Sequence, residues 1–345
     1  MSHPLITSTQ KRSSKTSGSA SSWEARATTT NPVSIADIRS ARERISSAAI
    51  RTPLIRINVD DAPADIYLKL ENLQPIGSFK LRGAANAIAL ATPGQLAKGV
   101  YTCSAGNMAQ GVAWNARRLG IPCTAIVPDH APETKLAAIA RLGGRIIKVP
   151  FDEWWNVMVT HRYAGLDGLF VHPVSDPAVI AGNGTIGLEI LEDLPDVDAI
   201  VVPYGGGGLS CGIATAVRTL KPDTKVYACE VETSAAFAAA LAAGHKVTID
   251  YKPSFVDGIG SSSVLDEMWP LAQSLLNGSI VMSLADVAGA IRLLAERNRV
   301  IAEGAGATSV AAALAGKAGG GKVVCIVSGG NIDFEKLTKI FNHEM

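Results

Sequence analysis

Lys80 stands in a sequence context that gives its amine an unusual chemical character. It follows Pro75 and Gly77 in the segment LQPIGSFKLRGA and lies near the predicted start of a helix. The positive end of a helix dipole disfavours a cation in the first turn. That potential, together with burial, lowers the pKa of an amine and leaves it nucleophilic near neutral pH. Most lysines are solvated surface charges, so the placement gains meaning only beside other motifs.

Four consecutive glycines separate a predicted strand, AIVVPYG, from a predicted helix: Gly205, Gly206, Gly207 and Gly208. Glycine permits positive φ and lets an anion approach the backbone closely. The N-terminus of the following helix then favours a phosphate. No lysine follows as in a P-loop, and Cys211 replaces the third glycine of a dinucleotide fingerprint. Gly206, Gly208 and Glu230 still match that fingerprint in part, so the loop alone leaves the kind of phosphate open.

Two further loops after predicted strands carry polar side chains. In CSAGNMAQG, Ser104, Asn107 and the amides of Ala105 and Gly106 can bind a carboxylate at the start of a helix. In CIVSGGN, Ser328 ends the last predicted strand. Ligands of open α/β sheets bind where the carboxyl ends of strands lead into such loops. We therefore expect these loops to face one site together with Lys80.

The segment GSFKLRGA at 77–84 resembles the lysine-bearing segment of fold-type II pyridoxal-phosphate enzymes. The nearest likeness is to the serine/threonine dehydratases and serine racemases, and it covers about residues 33–335. The other motifs follow in the family's order: TPL at 52–54, SAGNMAQG at 104–111, GGGG at 205–208 and SGGN at 328–331. Such a joint match is far more specific than any one of its parts.

The resemblance implies a cofactor, pyridoxal 5'-phosphate, and a role for each motif. It assigns to the cofactor Phe79 beside the ring, Lys80 bonded to it, Asn107 at its phenolic oxygen, Gly205, Gly206, Gly207, Gly208 and Leu209 around its phosphate, and Ser328 at its pyridine nitrogen. It assigns to the substrate carboxylate Ser104, Ala105, Gly106 and Asn107. A neutral hydroxyl at the pyridine nitrogen makes the ring a weaker electron sink, which favours rapid loss of a β-leaving group.

The activity implied is elimination of water from a 3-hydroxy amino acid of the L-serine or L-threonine type, giving a 2-oxo acid and ammonia. Ala105 stands where the racemases carry a second hydroxyl, and a methyl group cannot supply a proton, so elimination is expected over racemisation. Met108 and Val174 also depart from common dehydratase residues. A bulkier substrate, such as 3-phenylserine or 3-hydroxyaspartate, is the alternative, although the sequence places no extra cation for the latter. A nicotinamide oxidoreductase is a distant alternative.

A weak mono- or divalent cation site is a further expectation. Glu230 matches a carboxylate that helps to bind a metal in some relatives. Those relatives place another acid where this chain has Ala236, and Ser234 offers only a hydroxyl or carbonyl. By the resemblance, Glu303 lies in the same region. Because divalent ions take several oxygen ligands, a weakly held ion or none is expected there.

Strands and helices alternate along the chain, which predicts an α/β fold of parallel sheets with helices on both faces. The resemblance makes it a two-domain, tryptophan synthase β-like fold. We expect a small domain at 98–173 and a large cofactor-binding domain at 32–97 and 174–345. Residues 1–31, rich in Ser and Thr, read as a disordered tail, with a transit peptide as the alternative.

Composition excludes several classes of function. A formal net charge of +1 over 345 residues argues against a dedicated nucleic-acid binder. No apolar run is long enough to span a bilayer. The five cysteines form no C-x-x-C pair and read as buried, reduced thiols, which favours a cytoplasmic protein. The short segment after SGGN implies a catabolic-type enzyme without a regulatory domain, and the resemblance implies a homo-oligomer.

Overall fold

The computed structural model describes Met1 and residues 33–344, so the tail predicted at 1–31 lies outside the described residues apart from Met1. In the described chain the strands are β1 (Leu54–Arg56), β2 (Asp65–Lys69), β3 (Val100–Cys103), β4 (Cys123–Pro128), β5 (Arg145–Val149), β6 (Leu169–Phe170), β7 (Ala199–Pro203), β8 (Lys225–Val231), β9 (Ser279–Met282) and β10 (Lys322–Ile326).

The helices of the described chain are α1 (Ile35–Ile45), α2 (Lys80–Ala89), α3 (Pro93–Ala97), α4 (Asn107–Leu119), α5 (Glu133–Arg141), α6 (Phe151–Thr160), α7 (Pro177–Asp193), α8 (Gly208–Leu220), α9 (Ala236–Ala243), α10 (Trp269–Leu275), α11 (Leu284–Leu293), α12 (Gly304–Leu314) and α13 (Phe334–Phe341). Ser34 caps α1: its hydroxyl accepts from the Asp37 amide, and the Asp37 carboxylate accepts from the Ser34 amide.

Two sheets organise these elements. The larger has the order β1-β2-β10-β7-β8-β9, and the smaller has the order β5-β4-β3-β6. All pairings are parallel except β1 with β2, an antiparallel edge that the sequence did not predict. The predicted α/β class with parallel sheets is therefore confirmed. Every strand of the smaller sheet comes from within 98–173, the predicted small domain, although the division into domains stays a prediction.

Two apolar clusters cover opposite faces of the larger sheet. Along β7, Ala199 and Val201 pack into one cluster, and Ile200 and Val202 pack into the other. This alternation follows from the two-residue period of a strand. Because both faces are buried, β7 is apolar at every position, as the parallel-sheet prediction requires.

Helix α7 is the longest helix in the described chain that the sequence did not predict. Its three glycines, Gly182, Gly184 and Gly187, are each unfavourable in a helix interior. In the structure these glycines are required, because α7 packs very closely against its neighbouring helices. A Cβ at Gly182 would lie 2.6 Å from the Arg82 carbonyl oxygen, and one at Gly184 would lie 2.8 Å from that of Gly212. These glycines permit the close approach of α7 to α2 and α8.

The cysteines are buried and unpaired, as predicted: Cys103, Cys123, Cys211, Cys229 and Cys325. Burial raises the pKa of the Cys103 thiol to about 12, so the thiolate that reacts with oxidants is scarce at neutral pH. Among the described residues, no helix has the length and apolar character needed to cross a bilayer.

Candidate active site

A cavity of about 640 Å³ opens where the carboxyl ends of β3, β7 and β10 meet the start of α2. All the predicted site residues except Ala105 line it: Phe79, Lys80, Ser104, Gly106, Asn107, Gly205, Gly206, Gly207, Gly208, Leu209 and Ser328. The structure thus brings together residues from four loops that are far apart in the sequence.

Lys80 begins α2 and points its amine into this cavity wall. Its Nζ donates to the carbonyl oxygen of Pro173 at 2.5 Å and lies 5.3 Å from the centre of the Phe79 ring. Burial lowers the pKa of Lys80 to about 8, against a smaller opposing effect of the Glu303 carboxylate. The start of α2 is held to the end of β10, because the Phe79 amide donates to the Ser328 carbonyl oxygen at 3.0 Å. The amine is therefore fixed in position and partly neutral near physiological pH.

The glycine loop passes so close to the segment around Val174 that no side chain fits. A Cβ at Gly206 would lie 2.6 Å from the Val174 side chain, and one at Gly208 would lie 2.4 Å from the Val174 carbonyl oxygen. Gly207 adopts a φ of +94° and immediately precedes α8. The first amides of α8 have no partner within the helix and adjoin the cavity, which makes this loop a cradle for an anion.

Asn107 connects three loops of the site. Its Nδ2 donates to Glu303 Oε1 at 2.9 Å, and its Oδ1 accepts from Asn331 Nδ2 at 2.8 Å. Asn331 also donates to the Ile76 carbonyl oxygen, which holds SGGN against the segment before Lys80. Asn107 is thus fixed by hydrogen bonds on both atoms of its amide.

Glu303 is a functional candidate that sequence reasoning assigned to the wrong place. It was expected beside Glu230, but it lines this cavity at the N-terminus of α12. Burial raises the pKa of Glu303 to about 7, against the opposing hydrogen bond from Asn107. An acid directly before the small residues GAGA, at the start of a helix, is the sequence signal that could have indicated a buried carboxylate next to a loop.

The Ser104–Gly106 loop leads into α4. The Gly106 amide donates to Ser104 Oγ at 3.2 Å, which closes a tight turn below the helix N-terminus. The side chain of Ala105 packs instead against the apolar cluster of the smaller sheet that contains Ala109 and Ala125. Of this loop, Ser104 and Gly106 line the cavity, while the partly buried Ala105 methyl group packs against the core.

The cavity wall also carries two cationic side chains that the sequence did not predict there. Lys135 and Arg141 of α5 both line the cavity. The Lys135 Nζ lies 3.0 Å from an oxygen of Asp257, and the neighbouring Thr134 hydroxyl donates to Asp333 at 2.7 Å. These contacts join α5, from the smaller sheet, to segments around the larger one. Arg141 is exposed at the rim.

Glu230 is used as a helix cap in the structure. Its two carboxylate oxygens accept from the backbone amides of Phe237 and Ala238, both at 2.8 Å, and one of them also accepts from the Ser279 hydroxyl. The carboxylate therefore stabilises the start of α9. With Glu303 located in the cavity, the two carboxylates proposed for one cation site are bonded to different parts of the fold.

The family model described as pyridoxal-phosphate dependent enzyme matches residues 45–329. The chain belongs to this family. It is 40% identical over 315 residues to an L-threonine ammonia-lyase of Thermotoga maritima, covering 90% of this chain and 78% of the relative. It is 36% identical over 316 residues to a catabolic L-threonine dehydratase of Escherichia coli K12, covering 90% and 96%. The solved structure of maize serine racemase superimposes with a TM-score of 0.82 at 32% identity, covering 91% and 98%. The predicted family is confirmed.

The residues present fit the family's cofactor. The glycine cradle, which a single Cβ would fill at Gly206 or Gly208, adjoins unpaired helix amides that suit a phosphate. An amine that is partly neutral near physiological pH, and can therefore bond to an aldehyde, is available at Lys80 in the same cavity. For a pyridoxal-phosphate dependent enzyme, these are the two requirements that the chain itself must meet.

The lowered pKa of Lys80 leads to a prediction for the apoprotein. We expect the rate of covalent attachment of pyridoxal 5'-phosphate to rise with pH to a midpoint near 8, because only the neutral amine reacts and burial lowers its pKa from 10.5 to about 8. Stopped-flow absorbance of the lysine-bound cofactor, recorded over a pH series, measures this midpoint. A midpoint near that of a solvated lysine, about 10.4, would contradict the structure.

Proposed function

We propose that the protein eliminates water from a 3-hydroxy amino acid of the L-threonine or L-serine type and releases a 2-oxo acid and ammonia. The main observation in support is the position of the Lys80 amine. It lies in the cavity formed by the glycine cradle, Asn107 and the helix start at Gly106. The relatives named as threonine ammonia-lyase and threonine dehydratase support the same reaction.

We propose the following residues to hold the cofactor: Lys80 through its amine, Phe79 beside the ring, Gly205, Gly206, Gly207, Gly208 and Leu209 at the phosphate, Asn107 at the phenolic oxygen and Ser328 at the pyridine nitrogen. When bound, the cofactor accepts the electron pair that is released at the substrate α-carbon. The Asn107 amide is well suited to its part, because Glu303 and Asn331 fix its orientation.

The chain's own residues then bind the substrate and move its proton. The helix start at Gly106, with Ser104, binds the substrate carboxylate and thereby orients the bond from the α-carbon to its hydrogen. Lys80, whose lowered pKa of about 8 leaves part of the amine neutral near physiological pH, takes the α-proton as general base. The 3-hydroxyl leaves as water, and the proton that Lys80 has taken balances the second hydrogen of that water. Hydrolysis of the unsaturated product then yields the 2-oxo acid and ammonia.

An acidic substrate, 3-hydroxyaspartate, is a second candidate that one observation favours. The sequence placed no cation for its additional carboxylate, whereas the structure puts Lys135 and Arg141 in the cavity wall. Lys135 is already paired with Asp257, so Arg141 at the rim is the better partner. We do not retain the nicotinamide oxidoreductase, because Glu230, its supposed ribose ligand, caps α9 and the family match is to pyridoxal-phosphate enzymes.

A substrate panel tests this proposal. We expect 2-oxo acid from L-threonine and L-serine with a kcat/KM at least about tenfold above those for 3-phenylserine and 3-hydroxyaspartate, a difference of about 1.4 kcal/mol in transition-state binding. Alanine, which has no β-leaving group, is the control and should give no product. Preferred turnover of 3-hydroxyaspartate, lost in Arg141→Ala, would support the acidic candidate. Absence of product from every hydroxy amino acid would refute the elimination.

We also propose a homo-oligomer in the cytoplasm, serving amino-acid catabolism, with the domains divided at 98–173. The role in amino-acid catabolism is supported by the E. coli relative, which is named a catabolic L-threonine dehydratase. The cation expected near Glu230 is not part of the proposal, because both carboxylate oxygens already accept backbone hydrogen bonds. Light scattering of the purified protein measures the oligomeric state directly.

A further inference from the structure

The turn at 172–175 contacts both the Lys80 amine and the glycine loop, the two features proposed to hold the cofactor. Pro173 supplies the carbonyl oxygen that accepts from Lys80 Nζ at 2.5 Å. The Val174 side chain and carbonyl oxygen lie against Gly206 and Gly208 so closely that no Cβ fits there. The turn follows β6 of the smaller sheet and leads into α7, which packs on α2. Whatever fixes this turn therefore fixes the amine and the glycine loop relative to each other.

His172 is the side chain around which this turn folds. It is 2% exposed. Its Nδ1 lies 3.2 Å from the Val174 amide nitrogen, 2.8 Å from the Ser175 amide nitrogen and 2.9 Å from the Ser175 hydroxyl. Backbone amides can only donate, so Nδ1 is an acceptor without a proton. Its Nε2 lies 3.2 Å from the Met158 carbonyl oxygen, which can only accept, so Nε2 carries the proton.

These contacts define one neutral tautomer of the ring. Protonation of Nδ1 would set a hydrogen against two amide hydrogens, and burial lowers the pKa of His172 to about 3, assisted by the neighbouring His161 and by Lys80. Three titratable groups lie around the ring in the described chain: His161, with ring centres 4.4 Å apart, Glu267 and Lys80. The ring therefore stays neutral and keeps accepting from the turn at physiological pH.

The same contacts argue against a metal at this place. One ligand atom from each of His161, His172 and Glu267 lies within 4.8 Å of the other two, a spacing that a zinc ion can use. A metal needs a free lone pair on a ring nitrogen. In His172 the Nδ1 lone pair accepts from the turn, and Nε2 bears the proton donated to Met158. Coordination would break one set of these hydrogen bonds.

We infer that His172 is a positioning residue for the cofactor: through Nδ1 it holds the 173–175 turn, and the turn holds the Lys80 amine opposite the glycine cradle. The inference rests on the proposed attachment of the cofactor at Lys80. It adds a residue that touches neither the cofactor nor the substrate and acts through Pro173 and Val174. It also gives a structural role to a buried histidine that stays neutral at physiological pH.

Three substitutions separate the Nδ1 contacts from the rest of the ring. In His172→Asn the amide oxygen takes the place of Nδ1 and accepts from the turn. In His172→Gln the amide reaches the place of Nε2 and faces Met158 instead. His172→Leu retains apolar volume and loses both interactions. His161→Leu is the matched control, because it removes the adjacent ring and leaves the turn hydrogen bonds intact.

The readouts are the dissociation constant of pyridoxal 5'-phosphate for the apoprotein and the pH midpoint of its attachment. We expect the dissociation constant to rise about tenfold or more in His172→Leu and His172→Gln, since two or three neutral hydrogen bonds are lost, but less than about threefold in His172→Asn and His161→Leu. In the leucine variant the pH midpoint should move from about 8 toward 10.5, because a looser turn hydrates Lys80.

Equal affinity in the wild type and His172→Leu would overturn the inference, and so would an equal loss in the asparagine and glutamine variants. If the leucine variant does not fold, the comparison of cofactor affinity between the asparagine and glutamine variants still tests the inference. Zn²⁺ binding to the wild-type apoprotein that His161→Leu abolishes would also overturn it, since a metal displaces the turn hydrogen bonds. None of these measurements uses turnover. A protein that binds the cofactor as expected and fails on L-threonine would refute the proposed function alone.

Discussion

Replacing Lys80 with alanine is expected to abolish 2-oxo acid formation and to remove the visible absorbance of the lysine-bound cofactor. The side chain performs two tasks in the proposal, covalent attachment and general-base catalysis. General-base catalysis alone contributes about 10²–10⁴-fold, so kcat/KM should fall by at least about 10⁴-fold when both tasks are lost. The measurement is a coupled 2-oxo acid assay beside an absorbance spectrum of the purified variant.

Lys135→Ala is the matched control for this experiment. Lys135 lines the same cavity and carries the same ammonium group, but its Nζ is paired with Asp257, 3.0 Å away. We expect the control to retain the visible absorbance and to change kcat/KM by much less than the Lys80 variant. An alanine variant at position 80 that stays coloured and makes 2-oxo acid as fast as the wild type would refute the whole assignment.

The sequence predicted the site better than it predicted the framework that surrounds it. The motif loops were found because each follows a strongly apolar strand, and parallel strands bring their carboxyl ends to one edge of a sheet. Lys80, Asn107, Ser328 and the glycine loop therefore line one cavity, as the pattern required. This inference needs only the direction of each strand and not its exact neighbours.

Contacts that depend on tertiary packing were not readable from the sequence. Asn107 and Glu303 are 196 residues apart and meet only because α4 and α12 begin at the same cavity. Helix α7 is missed because its glycines weaken a helix locally, whereas close packing against α2 and α8 makes them necessary. Strand β6 has two residues, too few to show a period. In each case the deciding interaction is with a distant segment.

A buried ionic network anchors the helix that carries Lys80. Arg82, in the first turn of α2, is 1% exposed and forms paired hydrogen bonds with Glu71 and with Glu189, at 2.7–2.9 Å. Lys69 completes the group, with its Nζ 2.6 Å from Glu189. Two cations and two carboxylates balance in charge, and each carboxylate accepts from Arg82 on both oxygens. The network joins β2, α2 and α7.

We expect Arg82→Met to lower the free energy of unfolding of the apoprotein by about 3–5 kcal/mol, because it leaves Glu71 and Glu189 with only Lys69 in a buried site. Arg82→Lys retains the positive charge but not the paired hydrogen-bond geometry. Its free energy of unfolding should therefore lie between those of the wild type and Arg82→Met. Arg51→Met is the matched control: Arg51 also bridges two carboxylates, Glu192 and Asp193, but its side chain is 48% exposed. Exposed pairs contribute about 0–1 kcal/mol. Urea denaturation of the apoprotein measures all four proteins without the stabilising effect of the cofactor.

The pH dependence of this loss distinguishes an ionic network from simple packing. Burial alone would raise the pKa of Glu71, but the Arg82 guanidinium reverses that effect and holds the pKa below 4.5. A carboxyl whose pKa is lower in the folded than in the unfolded state stabilises the fold at pH values above its unfolded pKa. That stabilisation is lost as the pH falls through the folded pKa. In Arg82→Met the effect of burial on Glu71 is opposed only by the Thr52 hydrogen bond and by Lys69, so the pKa of Glu71 rises. Its carboxyl then takes up a proton as the pH falls, which relieves the penalty of an underpaired buried charge. We therefore expect the stability gap between wild type and Arg82→Met to narrow as the pH falls through 4.5. A gap that stays constant with pH would show that the lost packing of the arginine side chain, and not its charge, accounts for the destabilisation.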